Sequence, residues 1–240
     1  MVVGAPPPLR LFLLLPTLAL GVRHVASRRA VLLAPALTGA LPRAAHAASP
    51  VREGMAAFAD NRVEEAIELY DSVLQANPAA KPYLWQRGLA LYYANRFAEG
   101  ADQFATDVQV NPNDTEEQIW HLVCVAQIRG GLEAARPSKL TVGTDRRPVM
   151  RAVQQLFLSG TPAAEQRLIE FAQGGDASSR FYALLYLSLY YESLGETHDA
   201  ERRMLEAVAT DYAKGFGRSD PMVELAKVAI QRRKWGKGAV

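Results

Sequence analysis

Apolar positions recur at helical spacing along most of the chain, and the clearest stretch is also one that repeats. "NRVEEAIELYDSVLQANP" (61–78) has an echo in "NRFAEGADQFATDVQVNP" (95–112); both begin Asn-Arg and both end Asn-Pro. The offset of 34 residues holds outside the two stretches, where Gly54 aligns with Gly88. Within them Asn61 aligns with Asn95, Ala66 with Gly100, Tyr70 with Phe104 and Pro78 with Pro112. Each pair has a packing role. Small residues at 54/88 and 66/100 let two helices approach closely. An aromatic ring at 70/104 fills the space between one unit and the next. Proline cannot continue a helix interior, so 78 and 112 end the second helix. Asparagine at 61 and 95 tolerates the left-handed geometry of a tight turn.

A period of 34 residues built from two helices is that of the tetratricopeptide repeat. Units are expected at about 48–80 and 81–114. A degenerate unit follows at 115–147, where "TEEQIWHLVCVAQI" keeps the first-helix pattern and Ala134 stands at the small position. There "ARPSKLTVGTDRRP" breaks the periodicity with two prolines and a glycine. Periodicity resumes at 148–175, in two segments joined by Ser159-Gly160-Thr161-Pro162, and a good copy spans 181–214, with Gly195 at its turn and Ala200 at the small position. Ser219-Asp220 as N-cap candidates and Pro221 in the first turn open a helix over 220–235 that would cap the end of a solenoid. Nothing reads as a strand. The expected fold is all-α, a right-handed superhelix of antiparallel helix pairs.

A narrower resemblance follows from particular runs. "RGLALYYANRFAEGADQF" (87–104), "NPND" (111–114), "LFLSGTPAAEQRLIEFA" (156–172) and "FYALLYLSLYYESLGETHDAERRMLEAVA" (181–209) are similar to the corresponding runs of the new-lipoprotein-I (NlpI) family of bacterial tetratricopeptide lipoproteins. The resemblance covers roughly residues 50–230, the irregular middle segment included. It implies a non-enzymatic adaptor that brings substrates to a carboxyl-terminal processing protease, and a homodimer. Those proteins begin with a lipid-modified cysteine. No cysteine stands near Ala48 here, so the chain is expected to be soluble once its leader is removed, and the family's dimer contacts, partly in the N-terminal helices, do not carry over directly.

Charge divides the chain. Residues 1–47 hold five arginines and no acid; the remainder carries all 25 acidic residues and is close to −3, although the whole chain is +2. A basic leader on a mildly acidic body reads as an address. "LFLLLPTLALGV" (11–22) follows Arg10, and "AVLLAPALTGAL" (30–41) follows Ser27-Arg28-Arg29 and leads to Ala45-His46-Ala47. Both runs are shorter than the ~20 residues of a spanning helix. The second fits a twin-arginine signal with an A-x-A cleavage site; the alternative is a chance arginine pair in an Arg-rich transit peptide. Two addresses in series resemble the bipartite presequences of thylakoid-lumen proteins, so a plastid thylakoid lumen is the expected location, and secretion the alternative. No stable membrane span is expected in the mature protein, and a body without a basic stripe gives no footing for nucleic acid.

Catalytic chemistry is not legible. Cys124 is the single cysteine, inside "IWHLVCVAQI", and reads as a small buried hydrophobe. His121, three residues away, shares its helix face, but two ligands without a second pair make no metal site. Gly215-Phe216-Gly217 has no strand before it and is not a dinucleotide loop. Glu64-Glu65 and Glu116-Glu117 fall near helix N-termini and favour the helix dipole. No cofactor, metal or enzyme activity is expected.

What remains is surface. In a tetratricopeptide stack the first helices line a concave groove, here supplied by Met55 and Phe58, by Pro82, Trp85, Leu89 and Tyr92, by Glu116, Ile119, Val123 and Ala126, and by Tyr182, Leu185, Leu189 and Glu192. That groove is apolar and aromatic, and suits a peptide strand or amphipathic helix from a protein partner. The alternative is that the superhelix, or the C-terminal helix, covers part of it. Arg87 stands where repeats place a packing leucine. It is expected to run its stem along the helix or to pair with an acid of the next unit. The basic tail around Trp235 fits either a membrane surface or a solvated, frayed end. The function expected is a lumenal adaptor, with an assembly or repair factor for a photosynthetic membrane complex as the alternative.

Overall fold

The computed structural model describes residues 49–236, and the expected leader and its signals (1–47) lie outside them. The described residues are helical, with no strand among them. The chain opens with α1 (Pro50–Ala59) and α2 (Val63–Ala76), then a 3-10 turn at Pro78–Tyr83, α3 (Trp85–Tyr93) and α4 (Phe97–Val110). These two hairpins are built alike. Both turns pass through an asparagine in the left-handed region, Asn61 and Asn95, each at φ 60°. In both, a glycine of the first helix lies under an aromatic ring of the second. A Cβ on Gly54 would stand 2.6 Å from Tyr70, and one on Gly88 2.5 Å from Phe104. The 34-residue offset therefore records one contact made twice.

Next come α5 (Thr115–Arg129) and α6 (Leu132–Ala135). The degenerate unit has only a one-turn second helix, and Ala134 is exposed, so it does not fill the small position expected of it; Ala135 is buried instead. The loop that follows is anchored through its backbone. Gln118 donates to the Leu140 carbonyl, and the Gly143 N–H donates to the Pro112 carbonyl at 2.7 Å. Then α7 (Pro148–Ser159) and α8 (Pro162–Gly174) form a pair closed by Gly160 at φ 63°. The longest helix among the described residues, α9 (Ala177–Leu194), is buried over most of Phe181–Ser193 and pairs with α10 (Thr197–Ala209). After the short α11 (Asp211–Lys214) comes α12 (Pro221–Arg233).

Asp220 caps α12 as expected, accepting from the Met222 N–H at 2.9 Å. The role of the helix differs from a terminal cap. It packs on α10 and also on α1 and α3, bringing the last described helix against the first. Arg233 donates to Glu192 on α9 and lies over the rings of Tyr92 and Tyr93, 5.6 and 5.4 Å from their centroids. Arg232 pairs with Glu64 at 2.7 Å and donates to the Tyr93 carbonyl. Trp235 is buried, 7% exposed. The tail through Trp235 is thus neither frayed nor free for a membrane, because its tryptophan and arginines are engaged within the fold.

Arg87 also departs from expectation. Its partner is an acid of the preceding unit: the guanidinium donates to Asp71 on α2 at 2.7 Å and to Gln103 on α4 at 3.4 Å. Gln103 in turn donates to the Lys81 carbonyl and to Asp107. A buried charge in place of the packing leucine is tolerated because these partners satisfy it. No helix among the described residues is long and apolar enough to cross a membrane.

Candidate functional site

The expected groove is not one open surface. Ile119, Val123, Leu185 and Leu189 have no exposed area and belong to the core, as does Ala126. Tyr92 and Glu192 are covered by Arg233. Pro82 is half-buried in the 3-10 turn. α12 accounts for Tyr92 and Glu192 through Arg233, whereas Ile119, Val123, Leu185 and Leu189 belong to α5 and α9, which pack on each other and on α7.

What stays open sits at the N-terminal end of α12. A cleft of about 300 Å³ is lined by Trp85, Leu89, Trp120 and Tyr182, by Asp114, Glu116, Glu117 and Asp220, and by Arg147. A smaller, mostly apolar cavity of about 100 Å³ is lined by Met55, Phe58, Ala59 and Tyr70. Trp85, Leu89 and Pro221 belong to both walls. Six of the expected groove residues, Met55, Phe58, Trp85, Leu89, Glu116 and Tyr182, thus line these two pockets, with Phe58 and Leu89 themselves largely buried.

The charged groups of the cleft differ in how far they are engaged. Asp114 caps α5, accepting from the Glu116 N–H at 2.9 Å and the Glu117 N–H at 3.4 Å. Asp220 accepts from the hydroxyls of Tyr182 and Tyr212 at 2.8 and 2.7 Å. Arg147 donates to Glu116 and to Asp145, both at 2.8 Å, and lies 5.6 Å from the Tyr182 ring centroid. Burial would raise Asp145, but the bonds from Arg147 hold its carboxyl below the usual carboxylate range. Burial carries Glu116 up to about 7 against the pull of Arg147.

Glu117 has no such partner. It is 7% exposed, and its Oε2 has no hydrogen-bond donor among the described residues. Burial, then the charges of Asp114, Asp107 and Glu116, push its carboxyl up to about 8. Trp120, 2% exposed, leaves its Nε1–H without an acceptor in the same way. Buried polar groups are normally bonded, so two unpartnered ones on the wall of one cleft need an explanation.

Glu117, Trp120, Arg147 and Asp220 are missing from the groove expected from sequence. Repeat positions select one face of each first helix, and Glu117 lies one residue beyond that face at Glu116. Arg147 and Asp220 come from the irregular loop and the terminal helix, which repeat counting does not place.

His121 and Cys124 carry structural contacts. Both His121 ring nitrogens face carbonyl oxygens, Ala101 at 3.0 Å and Ser138 at 3.1 Å. The Cys124 thiol is buried against Gly100, and burial raises it well above the ordinary thiol range. No known protein-family model matches the chain.

Proposed function

We propose that the chain is a tetratricopeptide adaptor, related to the NlpI lipoproteins, that holds a segment of a protein partner without acting on it chemically. In this reading its hairpins stack as a superhelix, the leader delivers it to the thylakoid lumen, and the partner is a carboxyl-terminal processing protease or that protease's substrate. The observation that carries the reading is the cleft at the head of α12, whose aromatic and apolar walls stay open where the rest of the face is covered. The duplicated contacts Gly54–Tyr70 and Gly88–Phe104 support the repeat assignment. The engaged His121 and buried Cys124 support a non-catalytic role. A homodimer is part of the proposal and is read by analytical ultracentrifugation.

Affinity capture from thylakoid-lumen extract tests it, comparing the intact chain with Trp85→Ala. Recovery of a carboxyl-terminal processing protease that Trp85→Ala fails to retain is the expected result. Recovery of photosystem subunits without the protease would replace this reading with that of an assembly or repair factor.

A further inference from the structure

We propose that the cleft at the head of α12 receives a lysine or arginine side chain from an extended peptide, with Glu117 as its counter-ion and Trp85 as the wall for its stem. The inference rests on the adaptor reading and gives the bound segment a chemistry. Of the four carboxylates lining the cleft, Asp114 and Asp220 are engaged in helix caps and Glu116 in its pair with Arg147. Glu117 is left with an oxygen that is buried and unpartnered. Burial without a donor keeps the Glu117 carboxyl protonated near neutral pH, and an incoming cation favours release of that proton and supplies the carboxylate's missing partner. The acids do not converge as ligands for an ion: among the described residues no group of three or more His, Cys, Asp or Glu is placed to share a metal. An organic cation with a long apolar stem fits better. Trp85 is half-buried and offers the stem a flat surface, and an indole face attracts the charge that follows it.

One observation favours a peptide over a free amine. The apolar cavity beside Met55 and Phe58 shares Trp85, Leu89 and Pro221 with the cleft, so the two pockets adjoin. In an extended chain, side chains two residues apart lie on one face about 7 Å from each other. The segment expected is therefore a basic residue with a bulky apolar residue close by, most simply two positions away.

Selection of a random displayed-peptide library on the intact full-length chain tests this. Enrichment of Lys or Arg beside an apolar residue is expected, and a synthetic peptide of that sequence should lose about tenfold in affinity for Glu117→Gln, a change that keeps shape and removes charge. Peptides selected without basic preference, or equal affinity for Glu117→Gln, would overturn the cationic subsite and leave the adaptor reading standing. No selected peptide at all would overturn both. The library result is read on the unaltered chain, so it decides the question even if the variant fails to fold.

Discussion

Arg233, thirteenth and last residue of α12, donates to Glu192, the sixteenth of α9, and its guanidinium covers Tyr92 and Tyr93 of α3. One side chain thus joins three helices that are far apart in sequence. Arg233→Ala removes the counter-ion of a carboxylate whose side chain is only 14% exposed and opens two ring faces. A loss of about 2–3 kcal/mol is expected. The neighbouring Arg232 pairs with Glu64, whose side chain is 66% exposed, and Arg232→Ala should cost less, about 1 kcal/mol or under. Urea unfolding of both variants checks the order, and equal losses would show that α12 is not held chiefly at Glu192.

Gly88 and Gly174 make a second contrast. A methyl group at Gly88 meets the Phe104 ring, which cannot retreat freely because it stacks on Trp120 with centroids 6.2 Å apart. Gly88→Ala should destabilise by about 1–3 kcal/mol. At Gly174, in the last turn of α8, nothing lies within 4 Å of the added Cβ. Gly174→Ala should be neutral or stabilising by up to ~1 kcal/mol. Thermal melts of the pair decide whether the 34-residue offset reflects close packing.

These residues also show where sequence was sufficient. Gly88, Asn95 and Phe104 are legible because the first two helix pairs impose the same local demand, 34 residues apart. Gly195 and Gly160 are legible as turns for a related reason, since a left-handed helix end favours glycine whatever surrounds it. Glu192 and Tyr92 fall where repeat counting puts them, but their exposure depends on α12, which belongs to no repeat. Glu117 illustrates the other limit. Its charge and helix position suggest a solvated first turn, yet it is 7% exposed on α5, against which α4 packs with Asp107 close enough to raise its carboxyl. Long-range covering of this kind leaves no periodic trace.

The buried acids give a pH signature. Glu117 is pushed up to about 8 and Asp107 up to about 7, each chiefly by burial. Asp114, Asp107 and Glu116 are the charged groups that raise Glu117, and Gln103 and Lys81 partly counter the rise at Asp107. A carboxyl raised in the folded state holds its proton there over a range in which the unfolded chain has released it. Stability from these groups is therefore present at low pH and lost as pH rises toward 8. The protein should melt at a higher temperature at pH 6 than at pH 8. Glu117→Gln should stabilise it at pH 8 and flatten that difference. Melting curves at the two pH values, for the intact chain and the variant, test the sign; a steeper dependence in the variant would contradict it.

The leader admits a test that separates charge from signal. Arg28 and Arg29 precede an apolar run and an A-x-A site, so the proposed second address depends on a pair of guanidinium groups. Lysine keeps the charge of arginine but lacks its planar, forked donor geometry. A fluorescent reporter carrying residues 1–55 is expected to reach the thylakoid lumen in plastids. The same reporter with Arg28→Lys and Arg29→Lys is expected to stop short, with the first run processed and the second retained. Equal delivery of both reporters would mean that net positive charge suffices and that the leader is an ordinary Arg-rich transit peptide. Export of either reporter from the cell would place the protein in the secretory route, since the run at 11–22 would then be acting alone.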